Sequence, residues 1–118
     1  MSEELHNHDL LTTLGAQGRE LRELIPDVYK GFSATSKAAM AEGALSTKVK
    51  ELIALTIGVT NRCDGCIASH ARGAARAGAS KEEVAEALGV AILMNGGHST
   101  VYGPRAFAAF SEFSQVQA

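Results

Sequence analysis

The chain holds only two cysteines, Cys63 and Cys66, two residues apart, and His70 follows the second by four positions. If Cys66 opens a helix, Cys66 and His70 stand at i and i+4 on one face, and Cys63 and Cys66 meet at i and i+3. A helix start offers unpaired N–H groups and the positive end of the macrodipole, and both favour thiolate over thiol. Two sulfurs and an imidazole in one small volume make a redox or metal site. Glu51, eleven residues before Cys63, adds a carboxylate to the set.

These groups must be held by helices. Ala, Leu and Glu are abundant, β-branched runs are few, and Gly and Pro fall where helices would start and stop. The pattern predicts an all-α protein of six helices with no sheet. The first runs from about Asp9 to Ile25, with Leu10, Leu14, Leu21 and Leu24 on one stripe, and Pro26 ends it. The second, about Asp27 to Glu42, is expected to turn Val28, Phe32 and Met40 inward and to stop at Gly43. The third begins at Ser46 as N-cap and is apolar nearly all round, which marks it as central. Asn61-Arg62 makes a tight connection to the fourth, about Asp64 to Ala77, which Gly78 stops.

The fifth helix starts at Ser80, where Ser80 and Glu83 form a capping box, and ends near Asn95. Gly96-Gly97 breaks the chain. A last helix from His98 or Ser99 to Phe113 is expected to pack Val101, Phe107, Phe110 and Phe113, with Pro104 in its first turns or kinking it. Five short, Ala-rich partners give the central helix thin cover, so subunit contacts are expected to complete it. Phe107 to Phe113 is a candidate interface stripe, and Ala71, Gly73, Ala74, Ala75 and Ala77 allow close helix approach.

At 118 residues the whole chain, 1–118, reads as one domain with room for a modest core. Apolar residues are 46% and charged residues 20%, ordinary for a globular chain. A net charge of -2 with no Lys/Arg run carries no nucleic-acid footprint. The start of the chain is acidic and polar where a signal peptide would be basic and then apolar, and the longest apolar stretch, Leu52 to Val59, is too short to cross a bilayer. The expected location is the cytoplasm, without membrane or nucleic-acid partners. In that reducing compartment a cysteine pair reads as functional rather than as a static bridge.

Glu51, Cys63-x-x-Cys66 and His70, at these spacings, resemble the signature of the AhpD-like alkylhydroperoxidases of the carboxymuconolactone decarboxylase superfamily. Ala74-Ala75-Arg76-Ala77-Gly78 and the stretch from Ser80 to Leu88 extend the resemblance, which spans about Ala44 to Phe110. It implies an all-helical fold, a homotrimer or homohexamer, a hydroperoxide substrate and a dithiol reductant such as a lipoyl- or thioredoxin-like protein. Founding members carry a histidine directly between the cysteines, where this chain has Gly65.

Thiol-dependent peroxide reduction needs an attacking thiolate, a proton donor for the departing oxygen and a second thiol to resolve the sulfenic acid. Cys66, one turn from His70, is the candidate attacking thiolate, and Cys63, nearer the loop, the resolving thiol. His70 would take and return the proton, and Glu51 would orient His70 or complete the relay. No cofactor or metal is expected. A closed zinc site needs four ligands, and His98 with His70 would complete a Cys₂His₂ set only if the last helix folds back. His98 beside Gly96-Gly97 otherwise reads as a capping or surface residue, and Tyr102 as core. His6 and His8 lie in a polar terminus with no assigned task. Two alternatives remain: a lactone decarboxylase, for which Lys48, Arg62, Arg72 and Arg76 are the nearby basic groups, and a non-enzymatic dithiol sensor.

Overall fold

Hydrophobic periodicity near 3.6 and repeated Gly breaks resolve into helices throughout the computed structural model, which describes residues 6–117. The first five residues of the polar terminus lie outside it. Seven helices follow in order: α1 (His6–Gln17), α2 (Arg19–Leu24), α3 (Pro26–Met40), α4 (Thr47–Thr60), α5 (Asp64–Arg76), α6 (Lys81–Asn95) and, after a 3₁₀ turn at Gly96–His98, α7 (Ser99–Gln117). The all-α class holds. No described helix is long and apolar enough to cross a membrane.

The extra helix comes from the expected first one, which breaks at Gly18 into α1 and α2. Glycine lowers helix stability by about 1 kcal/mol against alanine, and Gly15 and Gly18 fall within one turn. The start also lies earlier than Asp9. The buried carboxylate of Glu112 on α7 accepts the backbone N–H groups of Asn7 at 3.0 Å and His8 at 2.7 Å. A tertiary contact thus caps the start of α1.

Four helices make the core. α5 packs on α4 and α7, and α6 packs on α7 and α4. Leu55, Val59, Ile67, Val84, Leu88, Phe110 and Phe113 are buried, with Ala71, Ala74, Ala106 and Ala109 filling the close approaches between them. Burial of Phe110 and Phe113 overturns their expected role as an interface stripe: they point into this chain's own core. Only Phe107 of that set is part-buried at the core's edge.

The surface is where the other expectations fail. α3 buries no residue, and Val28 and Phe32, expected inward, are exposed, Phe32 by 71%. Leu14, Leu21 and Leu24 of α1 and α2, and Val101 of α7, are exposed too. α4 buries Leu55, Gly58 and Val59, yet leaves Val49, Ile53 and Ile57 bare along one stripe at four-residue spacing. On α6, Val90, Ile92, Leu93 and Met94 are exposed, Leu93 by 80%. The Cα radius of gyration, 14.5 Å, exceeds the roughly 13.5 Å expected of a chain this long, consistent with α2 and α3 standing off the core.

Candidate active site

The site is built at the junction of α4 and α5. The N–H of Arg62 donates to Val59 O at 3.1 Å, and that of Cys63 to Gly58 O at 3.0 Å. Together they form a Schellman motif that closes α4. Its left-handed position, where glycine is usual, is held by Arg62 with φ of 54° rather than by Asn61. A non-glycine residue there costs about 1 kcal/mol. The motif delivers Cys63 directly to the N-cap of α5, where its sulfur accepts from the Cys66 N–H at 3.2 Å. Cys63 and Cys66 form a disulfide, with Cα atoms 5.2 Å apart. Cys66 is the more exposed of the two.

Glu51 and His70 meet across the two helices. His70 Nδ1 lies 2.7 Å from Glu51 Oε1, and the side chains are 31% and 14% exposed. With Glu51 ionised, Nδ1 carries the proton and donates it, which leaves the Nε2 lone pair as the base. His70 stands one turn after Cys66 on α5, as the spacing predicts. The structure thus pairs Glu51 with His70 across α4 and α5, and Cys63 with Cys66 at the start of α5, one helical turn before His70.

Two glycines allow this approach. A Cβ at Gly58 would meet Cys66 Cβ at 3.3 Å, so α4 and the start of α5 pass almost backbone to backbone. A Cβ at Gly73 would fall onto the Glu51 carboxylate itself. Gly58 reads in sequence only as an interruption of an apolar run, and Gly73 as one small residue among several. Their signal is glycine inside otherwise strong helices, at the two ends of one helix crossing.

Further groups lie around the dithiol. Asp64, between the cysteines, accepts from Arg105 at 3.0 Å, and the Arg105 guanidinium lies over the Tyr102 ring, 4.8 Å from its centroid. Tyr102 thus leans on the core and reaches an ion pair beside the dithiol. At Gly65, a Cβ would come within 2.9 Å of Leu14 Cδ1 on α1. The position that bears histidine in the founding relatives is covered here by a leucine. His98 sits in the 3₁₀ turn with a buried Nε2 that has no hydrogen-bond partner among the described residues. No described group of three or more His, Cys, Asp or Glu is placed to hold a metal ion.

On the far side of the Glu51–His70 pair, α3, α4 and α5 enclose an open cavity of about 430 Å³. Lys37, Glu51, Ser69, His70, Arg72 and Arg76 are in its wall. Burial holds the Arg72 guanidinium below its ordinary range and neighbouring Arg76 adds to this, with Glu51 partly opposing.

The carboxymuconolactone decarboxylase family model matches residues 26–113. The chain belongs to that family. An uncharacterized protein of Cupriavidus necator is 37% identical over 100 residues, 85% of this chain and 88% of its own. An uncharacterized protein of Haemophilus influenzae is 44% identical over 92 residues, 78% and 81% of the two chains. A carboxymuconolactone decarboxylase family protein of Legionella pneumophila, whose crystal structure is of the apo form, superposes with a TM-score of 0.89 at 37% identity. That match covers 93% of this chain and 98% of the other. Family membership accounts for the all-helical fold.

Proposed function

We propose that this member of the carboxymuconolactone decarboxylase family is a thiol-dependent peroxidase that reduces hydroperoxides through the Cys63–Cys66 dithiol. The observation that carries this reading is the 2.7 Å Glu51–His70 hydrogen bond one helical turn from a cysteine pair already in bonding distance. In the reduced protein, His70 Nε2 takes the Cys66 thiol proton. The Cys66 thiolate attacks the terminal oxygen of ROOH, the O–O bond breaks, and Cys66 becomes a sulfenic acid as RO⁻ leaves. His70 returns the proton to give ROH. The Cys63 thiol then attacks the sulfenic sulfur, forming the disulfide and releasing water. An external dithiol, of the lipoyl or thioredoxin kind, reduces the disulfide and is itself oxidised.

Glu51 holds the imidazole in the productive tautomer and stabilises its cationic form. The exposed stripe of Val49, Ile53 and Ile57 suits burial against other copies, in a homotrimer or homohexamer. A reversible dithiol of this kind belongs in the reducing cytoplasm.

The test is peroxide-dependent loss of free thiol in the reduced protein, followed by mass spectrometry for the Cys63–Cys66 disulfide. Cys66→Ser should abolish reaction with peroxide. Cys63→Ser should react once and leave a sulfenic acid on Cys66 that dimedone traps. The reverse pattern would exchange the two roles, and no thiol loss in any variant would end the peroxidase reading.

The lyase alternative has one observation in its favour, the basic wall of Lys37, Arg72 and Arg76 beside Glu51 and His70. It gives the dithiol no task.

A further inference from the structure

The Glu51–His70 pair forms a wall of a cavity whose charge is opposite to that of the whole chain. The protein is net negative at -2. Of the charged groups lining the cavity, Lys37, Arg72 and Arg76 are cationic and Glu51 alone is acidic. Glu51 is engaged with His70. None of the three cations is in an ion pair or a side-chain hydrogen bond among the described residues. Arg72 and Arg76 stand at i and i+4 on α5, the like-charge arrangement that costs an isolated helix a few tenths of a kcal/mol. Here it is compounded by the part-burial of Arg72. Two clustered cations without partners beside a concave surface await an anion.

The rest of the wall narrows the choice. Ser36 and Ser69 offer hydroxyls, and Met40 offers a flexible apolar surface. A volume of about 430 Å³ lies in the range of small organic ligands. Resting on the peroxidase reading, we propose that this cavity binds the carboxylate of an organic hydroperoxide, with Arg72 and Arg76 gripping the carboxylate and Lys37 closing over it from α3. The substrate class is thus an acid hydroperoxide, preferred over neutral alkyl hydroperoxides. Arg72 and Arg76 act as specificity residues, and the proton transfers stay with His70.

The experiment separates binding from chemistry. The binding probe is 3-hydroxy-3-methylbutanoate, the alcohol left when the matching hydroperoxide is reduced, titrated against the disulfide form with amide NMR as readout. Shifts should gather at Ser69, His70 and Arg72, weaken with added sodium chloride, and vanish in the Arg72→Gln/Arg76→Gln double variant. The kinetic probes are 3-hydroperoxy-3-methylbutanoate and its methyl ester. KM for the acid should be about tenfold lower than for the ester, as one charge-assisted hydrogen bond at a part-solvated site provides, and the double variant should erase the difference. Lys37→Gln should reduce the preference for the acid. Equal KM for acid and ester, with no localised shifts, would overturn the carboxylate site while leaving the peroxidase intact. Localised binding of the alcohol without thiol oxidation by either hydroperoxide would keep the site and refute the peroxidase.

Discussion

Replacing Gly73 by alanine tests the relay without touching any reacting group. The added Cβ would occupy the place of the Glu51 carboxylate, which must then swing away from His70. What is lost is a 2.7 Å hydrogen bond between an ionised carboxylate and an imidazole, both part-shielded from water. Hydrogen bonds to charged groups are worth about 1.5–3 kcal/mol, and each 1.36 kcal/mol is tenfold in rate. Full expression in the transition state would slow Cys66 oxidation about 10- to 150-fold. The 31% exposure of His70 favours the lower half of that range, because water partly replaces the lost partner. Alanine is the better helix former by about 1 kcal/mol, which offsets part of the steric cost, so the variant should fold. The assay is stopped-flow thiol oxidation under excess peroxide, alongside far-UV circular dichroism and NMR of the imidazole Nδ1 proton. Glu51→Gln, which retains an acceptor without the charge, should lie between Gly73→Ala and the parent. A folded Gly73→Ala protein that has lost the Nδ1 resonance yet oxidises at the parental rate would refute the relay.

Other outcomes follow from the same geometry. Light scattering should find an oligomer at micromolar concentration, and Ile53→Glu, which puts a charge in the exposed α4 stripe, should dissociate it. Ser80→Ala removes the acceptor of the Glu83 N–H and should cost about 1 kcal/mol, read as a lower Tm. The backbone N–H of Ser80, with Lys48 beside it, holds the Glu83 carboxyl below its ordinary value. Its stabilisation is therefore complete above the ordinary carboxylate range and lost as pH falls through the lowered value. The difference in Tm between the parent and Glu83→Gln should accordingly shrink on acidification. Gly65→His, which restores the residue of the founding relatives, meets Leu14 first. Any gain in peroxidase rate should need Leu14→Ala as well, and a rate increase in the single variant would show that α1 yields freely.

Sequence alone determined what is local. Helix class, the Ser46 and Ser80 caps, the Gly78 stop and the break at Gly96-Gly97 each depend on neighbours within a turn, and each appears where the residues place it. The candidate site was legible for the same reason: three of its four residues lie within eight positions, and helical spacing fixes their common face. Tertiary structure decided the rest. Nothing near Asn7 announces that Glu112 caps its helix from more than a hundred residues away, and apolar periodicity on α3 does not say whether the chain provides a surface to cover it. Phe110 and Phe113 could face inward or outward on pattern alone, and only the packing of α7 on α5 buried them. Glu51 reaches His70, and Lys37 comes to share a cavity with Arg72, because α3, α4 and α5 converge. Periodicity gives each helix a face but no partner; the partner is chosen by which faces fit at close range, and here two glycines set that range.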